Sequence, residues 1–174
     1  MGWKNIKEAF RIKHTVSVTD AGICIGSHYI HDIIVIRPNG VIAKSYKDSF
    51  TINEDLDRIQ GELGRTSPMR LRELIQAPDT FAASIPVYTY DGGEILTKYC
   101  EEPGWPNVTH DGDIMYENGY STDRAQVIEW AKQNARLGVK FAREREDELK
   151  SKLAECLKTI AECQADLSNL ELLA

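Results

Sequence analysis

The last third of the chain, residues 121–174, most constrains what this sequence can fold into. It contains no proline, and its apolar residues recur alternately three and four positions apart, which indicates a coiled-coil helix. A helix of about fifty residues is on the order of 75 Å long, more than a domain of about 120 residues can cover. We therefore expect its end to self-associate through a heptad that we call the association seam: Leu149, Leu153, Cys156, Ile160, Cys163, Leu167 and Leu170.

The charges beside the seam favour an antiparallel homodimer. In a parallel pair, Asp166 of one helix would meet Glu171 of the other, which is repulsive. In an antiparallel pair centred near Ile160, Lys152 meets Asp166 and Lys150 meets Glu171. Each exposed pair contributes only a few tenths of a kcal/mol, so these charges orient the helices more than they stabilise them.

The heptad weakens before Leu149, where Glu146 takes an apolar position. Upstream, the apolar residues are spread over a broader face, as in a helix packed on a domain. We therefore expect a globular domain at 1–120 and a long helix at 121–174. The first half of that helix, up to Ala142, should pack on the domain, and 149–174 should form the coiled-coil segment.

Composition excludes several classes of protein. With 174 residues and a net charge of -6, the chain lacks the clustered, unbalanced Lys and Arg needed to neutralise phosphates, so nucleic-acid binding is disfavoured. No apolar run reaches the eighteen or more residues that span a bilayer, and the N-terminus lacks the apolar core of a signal peptide. We expect a soluble cytoplasmic protein without membrane contact, whose short N-terminal helix packs through Trp3, Ile6 and Phe10.

Residues 1–120 alternate between strand and helix patterns, which predicts an α+β domain. Its small antiparallel sheet of hairpins and short helices precedes the long C-terminal helix that ends in a coiled coil. Strands are expected at 15–19, 23–25, 31–36, 41–46, 85–90 and 94–100. Helices are expected from Asn53 to Gly64, from Ser67 to before Pro78, and after a cap at Thr122.

The loop at 101–119 is the place where we expect binding chemistry. It combines a tryptophan with clustered carboxylates and a histidine, and loops on a rigid scaffold carry many binding residues. Nearby tyrosines can stack on a ligand or line a partner's groove, although aromatic residues in hairpins also serve as core and cross-strand pairs. The candidate binding residues are Tyr88, Tyr90, Trp105, His110, Asp111, Asp113 and Tyr116.

Two His/Asp clusters offer imidazole and carboxylate ligands that suit a divalent transition metal. They are His28, His31 and Asp32, and His110, Asp111 and Asp113. Both also lie at predicted turns, where these residues are common for local hydrogen bonding, so we assign no metal and no cofactor. The four cysteines show no zinc-ligand spacing, and no hydrolase or phosphate-loop motif occurs, which favours a binding protein over an enzyme.

Three stretches carry a resemblance: GICIGSHYIHDIIVI at 22–36, IPVYTYDGGEI at 85–95 and GWPNVTHDGDIMYEN at 104–118. Across roughly residues 2–135, the chain resembles a family of uncharacterised small proteins encoded by tailed bacteriophages and prophages, which end in a variable helical tail. The resemblance implies a setting in the cytoplasm of an infected bacterium and supplies no catalytic motif. It implies action by binding, such as inhibition of a host defence complex or another host-takeover role.

Three hypotheses follow. The first is a dimeric interaction protein whose domain binds a host protein and whose coiled coil supplies two copies. The second is a small-ligand binder that sequesters a nucleotide signal. Few basic residues lie near the loop to hold a phosphate, but the N-terminus of the long helix can bind one. The third is a metal-dependent hydrolase using the two His/Asp clusters.

Overall fold

The computed structural model describes residues 1–27, 29–46 and 53–172. It confirms the α+β class, with a small antiparallel sheet, short helices and a long C-terminal helix. The elements in chain order are α1 (Trp3–Ala9), β1 (Thr15–Thr19), β2 (Gly22–Gly26), β3 (Ile34–Ile36), β4 (Ile42–Lys44), α2 (Glu54–Arg65), α3 (Pro68–Gln76), β5 (Ile85–Asp91), β6 (Glu94–Cys100) and α4 (Arg124–Glu171).

The first four strands form one antiparallel sheet in the order β1-β2-β3-β4. Strands β2 and β3 are buried along their whole length, as expected for the centre of a sheet. The predicted strand at 31–36 begins only at Ile34. In the segment before it, the Ser27 hydroxyl accepts hydrogen bonds from the amides of Tyr29 and Ile30. Tyr29 and His31 therefore lie outside the strand pairing, which begins at Ile34.

Helices α1, α2 and α3 supply the rest of the main core. The apolar face of α1 is buried, as predicted from Trp3 and Ile6. The predicted caps are also found, because Asn53 accepts from Leu56 N and Ser67 accepts from Arg70 N. The prediction that α2 ends at Gly64 is one residue short. The core side chains are Trp3, Ile6, Phe10, Ile12, Val16, Ile23, Ile25, Ile34, Ile36, Leu56, Ile59, Leu63, Leu71 and Ile75.

Strands β5 and β6 form a separate two-stranded hairpin around the predicted Asp91–Gly92–Gly93 turn. A second small core lies against it, made of Val87, Cys100 and Met115 with the partly buried Ile85 and Tyr120. The loop that follows is tied to the hairpin by backbone hydrogen bonds. His110 N donates to Tyr99 O, and Tyr88 and Ser121 exchange two such bonds.

The same loop is also tied to the main sheet. Val18 N donates a 2.9 Å hydrogen bond to Gly112 O. Gly112 has a φ of +96°, and a Cβ atom there would lie 2.2 Å from Val18 Cγ2, so only glycine fits this contact. The loop is therefore held at a fixed place on the globular unit.

The chain divides into two compact units, Met1–Trp130 and Ala131–Ala174. The first boundary predicted from sequence, at residue 120, is therefore about ten residues early. Asp123 caps α4 in place of the predicted Thr122, because its Oδ1 accepts a 2.8 Å hydrogen bond from Ala125 N. Among the described residues, no helix is both long and apolar enough to cross a membrane.

Beyond Ala131, the apolar side chains of α4 up to Ala142 are exposed. Val127 is the one buried residue among those described in α4, whereas Leu137, Val139 and Phe141 are 50%, 53% and 61% exposed. At 100° per residue, Leu137 and Phe141 fall on the side of the helix opposite Val139.

Candidate functional site

A cleft of about 610 Å³ lies in the globular unit, beside the β5–β6 hairpin and the loop that follows it. We call it the aromatic cleft. Its volume is within the range of pockets that bind small molecules, roughly 300–1,000 Å³. The side chains that define it are Val87, Trp105, Met115, Tyr116, Glu117 and Tyr120.

Two ring contacts join the segment between β2 and β3 to this cleft. The ring of Tyr29 meets Trp105 edge-on with 6.3 Å between centroids. The Tyr116 hydroxyl lies 2.6 Å from His31 Nε2, and the two rings are also edge-on, 5.9 Å apart. Trp105 and Tyr116 are still 39% and 44% exposed, so a large part of each side chain remains open to a ligand or partner.

His31 is held by one ring nitrogen only. Its Nδ1 is buried without a hydrogen-bond partner among the described residues. Because Nε2 is engaged by Tyr116, the imidazole fixes the direction of the tyrosine hydroxyl. His31 therefore acts on the cleft through its contact with Tyr116.

A charge network lies beneath the cleft, centred on Lys98 of β6. Lys98 Nζ pairs with Asp111 Oδ2 at 2.8 Å and also with Asp113. Asp113 accepts a further hydrogen bond from the Tyr120 hydroxyl, and Thr109 donates to Asp111. These bonds connect the hairpin to the loop and use the carboxylates of both candidate aspartates.

The pKa values reflect this network. Burial alone would raise the pKa of Asp111, but its hydrogen bonds from Lys98 and Thr109 outweigh burial and lower it. Burial alone would lower the pKa of Lys98, but its bonds to Asp111 and Asp113 raise it. Burial, with the adjacent Asp113 charge, raises the pKa of Tyr120 to about 12. Lys98 and Asp111 thus stay ionised, and Tyr120 stays neutral, near neutral pH.

His110 has a structural role rather than a ligand-binding one. Its ring stacks on Phe81 with centroids 3.7 Å apart and 7° between planes, and its Nε2 lies 3.1 Å from Ala83 O. Its carbonyl accepts from the Trp3 indole at 3.1 Å. His110 therefore connects the loop to the segment before β5 and also to helix α1.

The described aspartates of the two His/Asp clusters are engaged in ion pairs with lysines. Asp32 pairs with Lys44 at 2.8 Å, and the other two aspartates are paired with Lys98. Within the described ranges, no group of three or more His, Cys, Asp or Glu side chains is placed to hold a metal ion. His28, the remaining candidate, lies outside the described residues.

Two of the predicted binding residues lie away from the cleft. Side chains of a strand alternate between its faces, so Tyr88 and Tyr90 point away from the face of Val87, which lines the cleft. They stand opposite Thr97 and Ile95 as cross-strand pairs. Tyr29, Met115 and Glu117 belong to the site or its rim, and sequence reasoning did not single them out as binding residues.

The association seam is exposed in the single chain. Its aliphatic residues Leu149, Leu153, Ile160, Leu167 and Leu170 are 51–64% exposed, and both its cysteines are exposed free thiols. An apolar hollow of about 270 Å³ lies on it around Ile160, Cys163 and Leu167. Such a row of half-exposed aliphatic side chains is the surface that a second helix covers in a coiled coil.

No protein-family model, curated protein or solved structure matches this chain. Its function is therefore inferred from the chemistry of two surfaces, the aromatic cleft and the association seam.

Replacing Lys98 with Met should destabilise the protein in a pH-dependent way. A carboxyl group with a lowered folded-state pKa stabilises the fold above its unfolded pKa of about 4 and loses that contribution as the pH falls through the folded value. We expect the free energy of unfolding to fall by about 1 kcal/mol at pH 7, a value discounted because the partners are half-exposed. This loss should become smaller toward pH 2. Urea unfolding between pH 2 and 7 measures it.

The matched control is Lys13→Met, at an exposed lysine outside this network. It should leave the unfolding free energy unchanged within about 0.5 kcal/mol. A Lys98→Met deficit that is equal at pH 7 and pH 2 would show that the aspartates contribute nothing through their charge.

Proposed function

We propose that this chain is a dimeric, phage- or prophage-encoded interaction protein that acts in the bacterial cytoplasm by binding a host protein. The observation that carries the proposal is the exposed association seam, in which five Leu and Ile side chains at heptad spacing are half-exposed or more. Exposed apolar surface on this scale is a mark of protein association. The phage setting is supported by the resemblance of 22–36, 85–95 and 104–118 to phage and prophage proteins.

A second copy of the same chain is the occupant that best fits the seam. Both sides of such an interface present Leu, Ile and Cys at the central positions, so each copy fills the other's hollow near Ile160. Cys behaves there as a small apolar residue. Dimerisation doubles the number of binding sites on the assembly and so raises its avidity for a partner.

The antiparallel arrangement is supported by the charges at the edges of the seam. Lys150 and Lys152 form pairs within their own helix, with Glu146 and Glu148 at 2.7 and 2.5 Å. Asp166 has no such pair within the described part of α4. A lysine from a second copy would therefore form a new ion pair with it. A parallel arrangement would instead bring Asp166 toward Glu171.

The surface offered to a host protein is the rim of the aromatic cleft. Tyr29, Trp105 and Tyr116 are exposed by 78%, 39% and 44% and are joined to one another or to His31 by ring contacts. Tyr and Trp in partly rigid settings are the residue types that dominate binding energy in protein interfaces. The small-ligand alternative is supported by the volume of the same cleft.

The nucleotide form of that alternative is disfavoured by two observations. In the part of the chain that the structure describes, no Lys or Arg lines the cleft, although a phosphate needs such a donor. The N-terminus of α4 does not replace them, because the Asp123 carboxylate already accepts from Ala125 N and Gln126 N. An anion at this helix end would therefore meet a negative charge rather than free amides.

Replacing Leu153 and Ile160 together with Ser should convert the dimer into a monomer. The change removes two apolar side chains from the seam of each copy, so four from the interface, without altering the globular unit. Light scattering coupled to size exclusion at tens of micromolar measures the mass. Removing residues 149–174 should give the same result.

The matched control is the double change Ala154→Ser and Ala161→Ser, one position further along the helix and away from the seam. It should remain dimeric. A seam variant with the same mass as the unaltered chain, or an unaltered chain that is monomeric, would contradict the role of the seam.

The charge change Asp166→Lys separates the two orientations. In the antiparallel dimer it sets the new ammonium group against Lys152 and should weaken association by about 0.5 kcal/mol at low salt. In a parallel dimer it would remove the repulsion with Glu171 and strengthen association. The dimer dissociation constant in 50 mM and 500 mM NaCl is the measurement, and Ser168→Lys, on the outer face, is the control.

The host partner is tested by affinity capture from bacterial lysate, with quantification by mass spectrometry. A true partner should be enriched by the unaltered chain and lost with Trp105→Ala and Tyr116→Ala. It should be retained by Tyr99→Ala, which changes an exposed tyrosine of β6 outside the cleft. Capture that is equal with all four proteins would rule out this rim as the binding face.

A further inference from the structure

The aromatic cleft has a lining that favours positive charge. Trp105, Tyr116 and Tyr120 contribute three aromatic rings. The face of such a ring carries partial negative charge and attracts a cation placed within about 6 Å of its centre, most strongly for tryptophan. Val87 and Met115 make the base of the cleft apolar.

The charged side chains in and around the cleft are negative on balance, which also favours a cation. Among the described residues that line it, Glu117 is the one ionisable acid or base, tyrosines apart. In the network joined to the lining residue Tyr120, the single positive charge of Lys98 is opposed by Asp111 and Asp113, which leaves a net negative charge. The capping carboxylate of Asp123 follows immediately after the lining residue Thr122. The cleft is therefore complementary to a cation and repels a phosphate.

The lining also distinguishes between kinds of cation. A primary ammonium group needs hydrogen-bond acceptors for its three N–H groups when it leaves water. A quaternary ammonium has no N–H group, so it can be held by ring faces and apolar contacts alone. Recognition of quaternary ammonium groups by cages of aromatic rings follows this chemistry.

We propose that the aromatic cleft binds a quaternary ammonium group. Trp105 and Tyr116 provide the ring faces, and Glu117 provides the opposing charge. Tyr29 and His31 act as positioning residues, because each contacts one of these two rings edge-on. The group can arrive on a free choline-like compound or on an N-trimethyllysine side chain. This inference concerns the cleft alone and does not depend on dimerisation.

The test uses the full chain, labelled with ¹⁵N, and two probes of nearly equal shape. Choline carries the charge, and 3,3-dimethyl-1-butanol is its neutral carbon analogue. We expect choline to bind at least about tenfold more tightly, with shifts centred on the Trp105 indole and the Tyr116 amide. Adenosine monophosphate serves as the anionic probe and should not compete.

Two variants connect the binding to the residues named. Trp105→Leu should weaken choline binding at least about tenfold, and Glu117→Gln should weaken it about threefold to fivefold at low salt. Both side chains are exposed, and the amide spectrum reports whether each variant remains folded. Tyr99→Leu, outside the cleft, is the control and should bind choline like the unaltered chain.

The source of the ammonium group is distinguished by a third arm, which compares a peptide carrying N-trimethyllysine with its unmodified lysine form. Preference for the methylated peptide over choline assigns a protein ligand, and the reverse assigns a small molecule. The proposal is overturned if choline and its neutral analogue bind equally, if adenosine monophosphate binds more tightly than choline, or if neither choline nor the methylated peptide saturates below 10 mM.

Discussion

The hydrogen bond between Val18 N and Gly112 O ties strand β1 of the main sheet to the loop that lines the cleft. Gly112 is at a positive φ, and Val18 fills the space where a side chain would be, so the loop can lie against β1 in only one way. Three residues later, Met115 enters the second core, and Tyr116 reaches His31. The position of the aromatic cleft therefore depends on a contact that involves none of its own side chains.

The polar residues of the loop act mainly inside the protein. Asp111 and Asp113 hold Lys98, His110 stacks on Phe81, and Thr109 bonds to Asp111, so the loop is fixed through groups that could otherwise have bound a ligand. Aromatic side chains are left at the surface. This arrangement favours binding, because aromatic rings that are already held by contacts within the protein lose little conformational entropy when a partner covers them.

Local patterns in the sequence predicted local structure well. The caps at Asn53 and Ser67, the hairpin turn at 91–93 and the long helix depend on neighbours within a few positions, and all are confirmed. The candidate site depends on contacts between distant residues, such as His31 with Tyr116, 85 positions apart. Sequence alone could not show that pairing, nor that the face of β5 that carries Val87, and not the face of Tyr88 and Tyr90, lines the cleft.

The thiol groups of the two cysteines in the association seam would differ in accessibility between a single chain and a dimer. In a single chain, Cys156 and Cys163 are open to solvent, whereas a partner helix on the seam would cover both. A covered thiol reacts with an alkylating or oxidising reagent only after the helices separate, so its modification rate is limited by dimer opening. Each separation would also expose four thiols at once, and their modification at central seam positions would hinder reassembly.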